Sequence, residues 1–472
     1  MFYEESLYSH PAACLRSTGR ECSGEQPRIP SCVYLAPAIV LLAIAAGLAL
    51  RLSGFIGGAY SWFAFSATED DSWLPMKLAF ARVLEHGPGS LYDVFFIDHV
   101  KFQYPASSLL LHSAVSSIGI APTHQLLSAI VWISIFVIPF VIYRLTLTVM
   151  DREDSHRLHL RTSDRRIIAL SFSVGSLFFY PIMISYRLGQ IQGLLDLLFA
   201  LACLSLAKRA TLTAGSFIGA VCLVKPQFAL FLLWAGIRRQ TYFAAAQITV
   251  LAAGSLLSPA LYGLHDNIQY LGVLSYLSQH GESHWDNTSI NGFVSRIIHP
   301  DLSFSREFPP FDMATYLITM VSSAAIVMFA LLANRQGRSA GGLLDFMMAG
   351  LCFTLAAPIA WGHHYGVVMP ILAVVFIEIV LRVDGARRRT LLAIWGVSFL
   401  LFSVNWNVTD VLGGTPLTFL QSWRLLAAIG LIWLVFDLQT DHAKATGQQN
   451  PITAPPNNLS RHRMGASDLP AR

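Results

Sequence analysis

The chain has 472 residues, of which 54% are apolar and only 13% are charged, whereas soluble domains carry about 25% charged residues. This composition excludes an ordinary soluble fold, because the apolar residues come in long runs separated by short basic clusters, as in proteins that span a lipid bilayer. The net charge of +4 is small and the Lys and Arg residues lie between apolar runs. The charge therefore indicates membrane orientation and no nucleic-acid partner.

The N-terminal third predicts one span followed by a long loop. Residues 1–32 form a polar segment that contains three arginines, and the apolar run 33–50 predicts the first span. Positive charge before a span favours the cytoplasmic side, so we expect the loop 54–104 to lie outside. Within that loop, apolar residues recur at helical spacing over residues 73–85, which predicts an amphipathic helix.

The next apolar piece, residues 105–118, is too short for the roughly 20 residues that a span needs. If it crossed the membrane, the arginine-rich loop around residues 152–166 would lie outside, against the positive-inside bias. We therefore predict a second helix lying along the membrane surface. Every later basic cluster then falls on the cytoplasmic side.

Eleven further apolar runs make about twelve spans with the first. The spans 211–224 and 226–237 are short and are interrupted at Lys225-Pro226, which indicates a broken pair. Residues 33–436 thus form one all-α transmembrane bundle, and residues 437–472 form a cytoplasmic tail predicted to be disordered. The predicted runs are 123–146, 166–185, 190–207, 211–224, 226–237, 241–258, 312–333, 341–357, 364–382, 390–405 and 417–436.

In this topology the polar residues gather on the outer side, where ionisable groups are functional candidates. Asp70 and Asp71 follow the first span, although acidic residues there are often only part of a solvated loop. Lys225 interrupts an apolar stretch, and the following proline breaks the helix around it. A lone lysine in such a stretch needs an anionic partner. The histidines 363 and 364 lie at a span junction, but adjacent residues on a helix point about 100° apart and are weak metal ligands. We expect no metal and no cofactor.

Six motifs in order resemble glycosyltransferase family 87, which includes membrane mannosyltransferases with the GT-C fold that use polyprenyl-phosphate sugars. They extend over about residues 33 to 436. The motifs are Asp71-Ser72-Trp73 with Leu91-Tyr92, Phe102-Gln103-Tyr104-Pro105, Gly189-Gln190, Lys225-Pro226-Gln227, residues 287–292 and residues 357–364.

The resemblance implies a long first outer loop with two juxtamembrane helices, here 73–85 and 105–118. Two departures stand out. The family usually has a tyrosine shortly after its acidic residue, where this chain has Trp73 and Leu74, and often has a second proline where this chain has Ala106. The first departure leaves open whether Asp70 or Asp71 aligns with the catalytic carboxylate.

Sugar transfer from a lipid phosphate needs a base for the acceptor hydroxyl and donors that stabilise the leaving phosphate. We assign Asp71 as the base with Asp70 as the alternate. The donor-phosphate candidates are Lys225, Arg187, His363 and His364. The candidates for binding sugar or acceptor are Gln190, Gln227, Asn287, Trp361 and Tyr104.

The expected activity is inverting transfer of mannose, or of a related hexose or pentose, from a polyprenyl-phosphate donor to a lipid or glycan acceptor. The resemblance points to the cytoplasmic membrane of a bacterium, with the active site facing outward. A transporter or flippase of lipid-linked saccharides is the alternative; it predicts polar residues at mid-membrane depth and pseudo-symmetric halves. A non-catalytic membrane scaffold is a third possibility.

Overall fold

The structure is a computed structural model that describes residues 31–52, 70–153, 160–305, 307–333 and 340–447. Within these ranges it contains eighteen α-helices joined by turns and short 3-10 helices, with no β-strand. The predicted all-α fold class is confirmed. The helices are α1 (Leu35–Leu52), α2 (Trp73–His86), α3 (Asp93–Phe96), α4 (Leu110–Ser117), α5 (His124–Glu153), α6 (Thr162–Leu177), α7 (Tyr180–Arg187), α8 (Gln192–Ala207), α9 (Thr211–Cys222), α10 (Leu230–Ile237), α11 (Thr241–Tyr262), α12 (Leu264–His280), α13 (Ile290–Ile298), α14 (Met313–Leu332), α15 (Leu343–Leu355), α16 (Val368–Arg382), α17 (Gly385–Ser403) and α18 (Trp423–Gly447).

Six helical segments of the described residues are long and apolar enough to cross a membrane. Five shorter apolar helices and α17 lie in the ranges of other predicted spans. The total of about twelve spans stays a prediction. The six long segments are His124–Arg152, Thr162–Arg187, Thr241–Tyr262, Met313–Leu332, Gly362–Arg382 and Thr418–Thr440.

Helices occupy both ranges predicted for the first outer loop. The first is α2, and the second is a 3-10 helix (Ala106–Leu109) that continues into α4. Their position at the membrane surface stays a prediction, and residues 54–69 of the loop lie outside the described residues. Residues 1–30 and 448–472 also lie outside the described residues. Helix α18 continues past residue 436, the predicted end of the last span, to Gly447.

Two helices between residues 258 and 312, α12 and α13, are absent from the sequence prediction. Helix α12 buries Tyr270, Val273 and Leu277 on one side and exposes Leu264 and Ile268 on the other. Polar residues separate these two apolar stripes, so the helix has no long apolar run. A criterion based on span length therefore misses it.

Helix α16 forms the centre of the bundle. Residues 368–381 are all buried, and they are apolar apart from Glu378, as expected of a helix that packs on every side. It contacts α5, α15, α17 and α18. By contrast, the most apolar windows of α11 and α14 are only 22% buried, which gives these two helices the outer faces that lipid would contact.

The two ends of the helix bundle carry different kinds of residue. At the basic end, Arg152 of α5 donates to the carbonyl of Ala207 over 3.1 Å, and Arg238 lies 2.6 Å from the Asp345 carboxylate. At the other end, α5 begins beside Asp70 and the turn between α7 and α8 meets Asp71. At this second end, the segments that precede α5 and α8 lie close to the segments that follow α9 and α15.

Candidate active site

A cavity of about 560 Å³ lies at the end of the bundle away from the arginine clusters. One side is polar and another is apolar, with Leu271, Leu274 and Met320 among its residues. Eight of the eleven predicted site residues line it; Asp70, Arg187 and Asn287 do not. The polar lining includes Asp71, Lys101, Gln103, Tyr104, Gln190, Lys225, Gln227, Trp361, His363 and His364.

Asp71 is fixed in the cavity by the turn between α7 and α8. Its backbone N–H donates to the carbonyl of Leu188 over 2.8 Å, and the next N–H, of Ser72, donates to Gly189 over 3.2 Å. Gly189 has a φ of +64°, which glycine adopts without strain and which permits this sharp turn. The next residue, Gln190, donates a side-chain hydrogen bond to the Asp71 carboxylate.

The Gln190 side chain is in turn held by two hydroxyl groups. Its carbonyl oxygen accepts from Ser72 Oγ over 2.5 Å and from Tyr104 Oη over 3.1 Å. Burial raises the pKa of Tyr104 far above its ordinary value, so the phenol stays protonated and donates at neutral pH. These bonds fix which end of the Gln190 amide faces Asp71.

Asp70 lies elsewhere. Its carboxylate is 3.0 Å from His124 Nδ1, at the start of α5, and Asp70 does not line the cavity. The two adjacent aspartates thus have different surroundings, which favours Asp71 over Asp70 as the residue that meets a substrate.

Lys225 lies in the break between α9 and the 3-10 helix Pro226–Ala229. Its side chain is only 7% exposed, and among the described residues it forms no hydrogen bond or close ion pair; the buried Asp196 carboxylate attracts it from a greater distance. A buried ammonium group without a direct partner is costly. It is therefore suited to an anionic ligand in the cavity.

The two histidines lie on a 3-10 helix, Gly362–Val367, that leads into α16. Their rings are perpendicular with centroids 4.4 Å apart. His363 is 2% exposed, and its Nδ1 has no hydrogen-bond partner among the described residues. A nitrogen so buried at the cavity wall is suited to a hydrogen bond with a bound ligand.

Two glycines let this 3-10 helix pack against buried carboxylates. A Cβ on Gly362 would lie 2.7 Å from Asp286 Oδ1, and a Cβ on Gly366 would overlap the carboxylate of Asp196. Asp286 is held by Arg424, whose Nη1 is 2.9 Å away and which is fully buried. The histidines are thereby placed at the cavity by backbone contacts that only glycine allows.

Lys101 lines the cavity and Glu282 lies behind it; both are absent from the sequence prediction. Lys101 Nζ lies 2.6 Å from Glu282, which is fully buried and also accepts a hydrogen bond from Trp361 Nε1. Burial raises the pKa of Glu282, and the charge of Lys101 opposes that rise. Lys101 adjoins the Phe102-Gln103-Tyr104-Pro105 motif, but Glu282 is 181 residues away and has no spacing that signals the pair.

Asn287 has a structural role that the sequence does not reveal. Its amide donates to the carbonyls of Glu282 and Pro358 over 2.9 and 3.2 Å, and its oxygen accepts from the N–H groups of Ala360 and Ser289 over 3.0 and 3.3 Å. With its hydrogen-bonding capacity filled, Asn287 fixes the loop before Trp361. The geometry does not favour the predicted sugar contact.

Arg187 ends α7, three residues before Gln190, and does not line the cavity. The geometry therefore favours Lys225 and His363 over Arg187 for a phosphate. Among the described residues, no group of three His, Cys, Asp or Glu side chains lies together as metal ligands would. What the cavity offers is a hydrogen-bonded carboxylate, buried cationic or imidazole groups, and an apolar wall.

Comparison with known protein families matches residues 102–358 to glycosyltransferase family 87. The match covers more than half of the 472 residues. It contains Gln190 and Lys225, begins after Asp71 and ends before Trp361. No curated protein sequence matches the chain.

Proposed function

The chain belongs to glycosyltransferase family 87, and from this premise we propose that it transfers a sugar from a polyprenyl-phosphate donor to a lipid or glycan acceptor, with inversion of the anomeric configuration. Its apolar helices and its family make it a multi-pass membrane glycosyltransferase. The sugar is mannose or a related hexose or pentose. The observation that carries the proposal is that one cavity contains both the Asp71 carboxylate and the buried Lys225 ammonium.

The reaction proceeds in one displacement. Asp71 accepts the proton of the acceptor hydroxyl as its oxygen attacks the anomeric carbon, and the bond between that carbon and the phosphate oxygen breaks. The electron pair leaves with the lipid phosphate, whose charge is stabilised by Lys225 and by hydrogen bonds from His363. Gln190 orients Asp71, and Gln227 and Trp361 contact the sugars.

The apolar side of the cavity supports a lipid-linked donor. Leu271 and Met320 line the cavity and are also 63% and 46% exposed. The cavity therefore opens onto an apolar outer surface between α12 and α14. A polyprenyl chain fits this opening because its apolar units pack against apolar side chains there.

The charge distribution supports an outward-facing site in the bacterial cytoplasmic membrane. The arginine clusters lie at the end of the bundle opposite the cavity, and basic residues favour the cytoplasmic side. Family membership favours transfer over the flippase alternative, which would move the donor across the membrane without breaking its bond to the sugar.

The test is transfer by the purified protein in proteoliposomes. We expect radiolabel to move from polyprenyl-phosphate mannose, or from another polyprenyl-phosphate sugar, to an added lipid or glycan acceptor, with the product anomer opposite to that of the donor by NMR. A nucleotide sugar should not replace the lipid donor. Donor translocation without transfer would instead support the flippase, and retention of configuration would contradict the single displacement.

A further inference from the structure

Lys101 is the second ammonium group that lines the cavity containing Asp71. It is 30% exposed, and its Nζ lies 4.4 Å from the centroid of the Phe308 ring. An ammonium group in the same cavity as a catalytic carboxylate can interfere with base catalysis. If the two pair directly, the carboxylate becomes a weaker base and its oxygens are occupied.

Glu282 is the carboxylate that Lys101 contacts. Its carboxylate is 2.6 Å from Lys101 Nζ and is fully buried, so water screens the attraction between them less than in an ion pair with two exposed members. Glu282 itself does not line the cavity. The charge of Asp71 also acts on Glu282. Lys101 and Asp71 line the same cavity, and Lys101 is bound to the carboxylate that does not line it.

The second oxygen of Glu282 accepts the indole N–H of Trp361. The ring of Trp361 also stacks on His284, with centroids 5.6 Å apart and planes 28° apart. One buried carboxylate therefore fixes two cavity-lining side chains that come from parts of the sequence 260 residues apart.

We propose that Glu282 is a positioning residue, which binds Lys101 and thereby keeps its ammonium group from pairing with Asp71. The inference rests on the proposed function, because it assigns the base to Asp71. Glu282 touches no substrate in this mechanism. Its contribution is to hold Lys101, so that the Asp71 carboxylate keeps its bond from Gln190 and does not pair with an ammonium group.

The test compares Glu282→Gln with the double variant Lys101→Met/Glu282→Gln in the transfer assay. The glutamine oxygen still accepts the Trp361 N–H in both variants. Comparing the two variants therefore isolates the effect of Lys101. Glu282→Gln frees Lys101 to pair with Asp71, and kcat should fall by roughly tenfold, with little change in KM for the donor. The double variant should recover most of that loss, because the competing cation is gone.

Glu307→Gln is the matched control, since Glu307 is an exposed carboxylate in the loop that precedes α14; it should leave kcat and KM unchanged. A purely structural role for Glu282 would make the double variant as slow as Glu282→Gln or slower, and that result overturns the inference. So does an unchanged kcat in Glu282→Gln. If Glu282→Gln does not fold, as judged by elution and melting temperature, the double variant alone decides: a kcat within about threefold of wild type supports the inference and a larger loss overturns it.

The outcomes also separate this inference from the proposed function. Transfer by the wild type and its loss in Asp71→Asn test the function and the base. When both hold and the double variant shows no recovery, only the role of Glu282 fails. When the wild type transfers no sugar from any lipid donor, the function itself fails.

Discussion

Gln190 donates its side-chain hydrogen bond to Asp71, and this contact distinguishes Asp71 from its neighbour. Asp70 instead lies 3.0 Å from His124, away from the cavity lining. The sequence leaves both aspartates as candidates for the base because they are adjacent and equally charged. The structure separates them by their partners.

Asp71→Asn should reduce transfer by about a hundredfold or more, because a general base contributes that much and the amide accepts no proton at neutral pH. Asp70→Asn is the matched control and should keep most of the activity. The measurement is kcat for transfer from the lipid donor by each purified variant. A large loss in Asp70→Asn with little in Asp71→Asn would exchange the two roles, and no loss in either would remove both from the mechanism.

Gln190→Leu should lower kcat by about tenfold with little effect on KM for the donor, because Asp71 loses the donor that orients it while its charge remains. Tyr104→Phe removes the 3.1 Å bond to Gln190 and the 2.7 Å bond to Ser72 and should have a smaller effect, since Ser72 still holds the amide. Steady-state kinetics with varied donor measure both. An effect of Gln190→Leu confined to KM would assign Gln190 to sugar binding, as the sequence analysis predicts.

Lys225→Met should raise KM for the lipid donor by about tenfold or more, because an ionic hydrogen bond to the phosphate is lost. Lys208→Met, an exposed lysine at the basic end, is the control. Inhibition by sugar-free polyprenyl phosphate should weaken in parallel, since that molecule retains the phosphate. Equal inhibition of wild type and Lys225→Met would place the phosphate elsewhere.

The sequence predicts the class of fold and the grouping of polar residues because both depend on local patterns. Apolar runs and basic loops determine which segments lie together at one end, and this is why Asp71, Gln190, Lys225 and His363 meet in one cavity. Helix α12 is not predicted by this pattern, because its apolar residues form two separated stripes and no long run.

Pairwise contacts between distant segments are not encoded in such patterns. Glu282 and Lys101 are 181 residues apart, and neither has a spacing or a motif that points to the other. Asn287 shows the converse: a polar residue in a family-like motif proves to bind backbone groups on every side. Only the tertiary arrangement distinguishes such a structural amide from a ligand-binding one.

Gly362→Ala and Gly366→Ala should each destabilise the protein by about 1–3 kcal/mol, because the added methyl group displaces a buried carboxylate and shifts the histidines. Gly236→Ala is the matched control, since a Cβ there meets nothing within 4 Å. It lies within α10, where alanine is favoured over glycine, and should leave stability unchanged or raised. Melting temperatures in detergent measure all three, and equal values for the three variants would contradict the close packing.

The activity of the wild type should fall as the pH is lowered because Glu282 becomes protonated. Burial raises the pKa of this carboxyl group, so protonation begins at a higher pH than for an ordinary glutamate, whose pKa is about 4.3. Loss of the Glu282 charge frees Lys101, as in Glu282→Gln. The groups acting on Glu282 are Lys101, the indole N–H of Trp361 and the charge of Asp71.

The measurement is kcat at saturating donor as the pH is lowered from 8 to 5, which separates this effect from protonation that alters donor binding. The double variant Lys101→Met/Glu282→Gln contains neither member of the pair, so its kcat should persist to lower pH than that of the wild type. An identical fall in both proteins would show that another group controls the acid limb. A fall in kcat that begins at lower pH in the double variant would connect the Lys101–Glu282 pair, which the sequence does not reveal, to Asp71, the base that the sequence predicts.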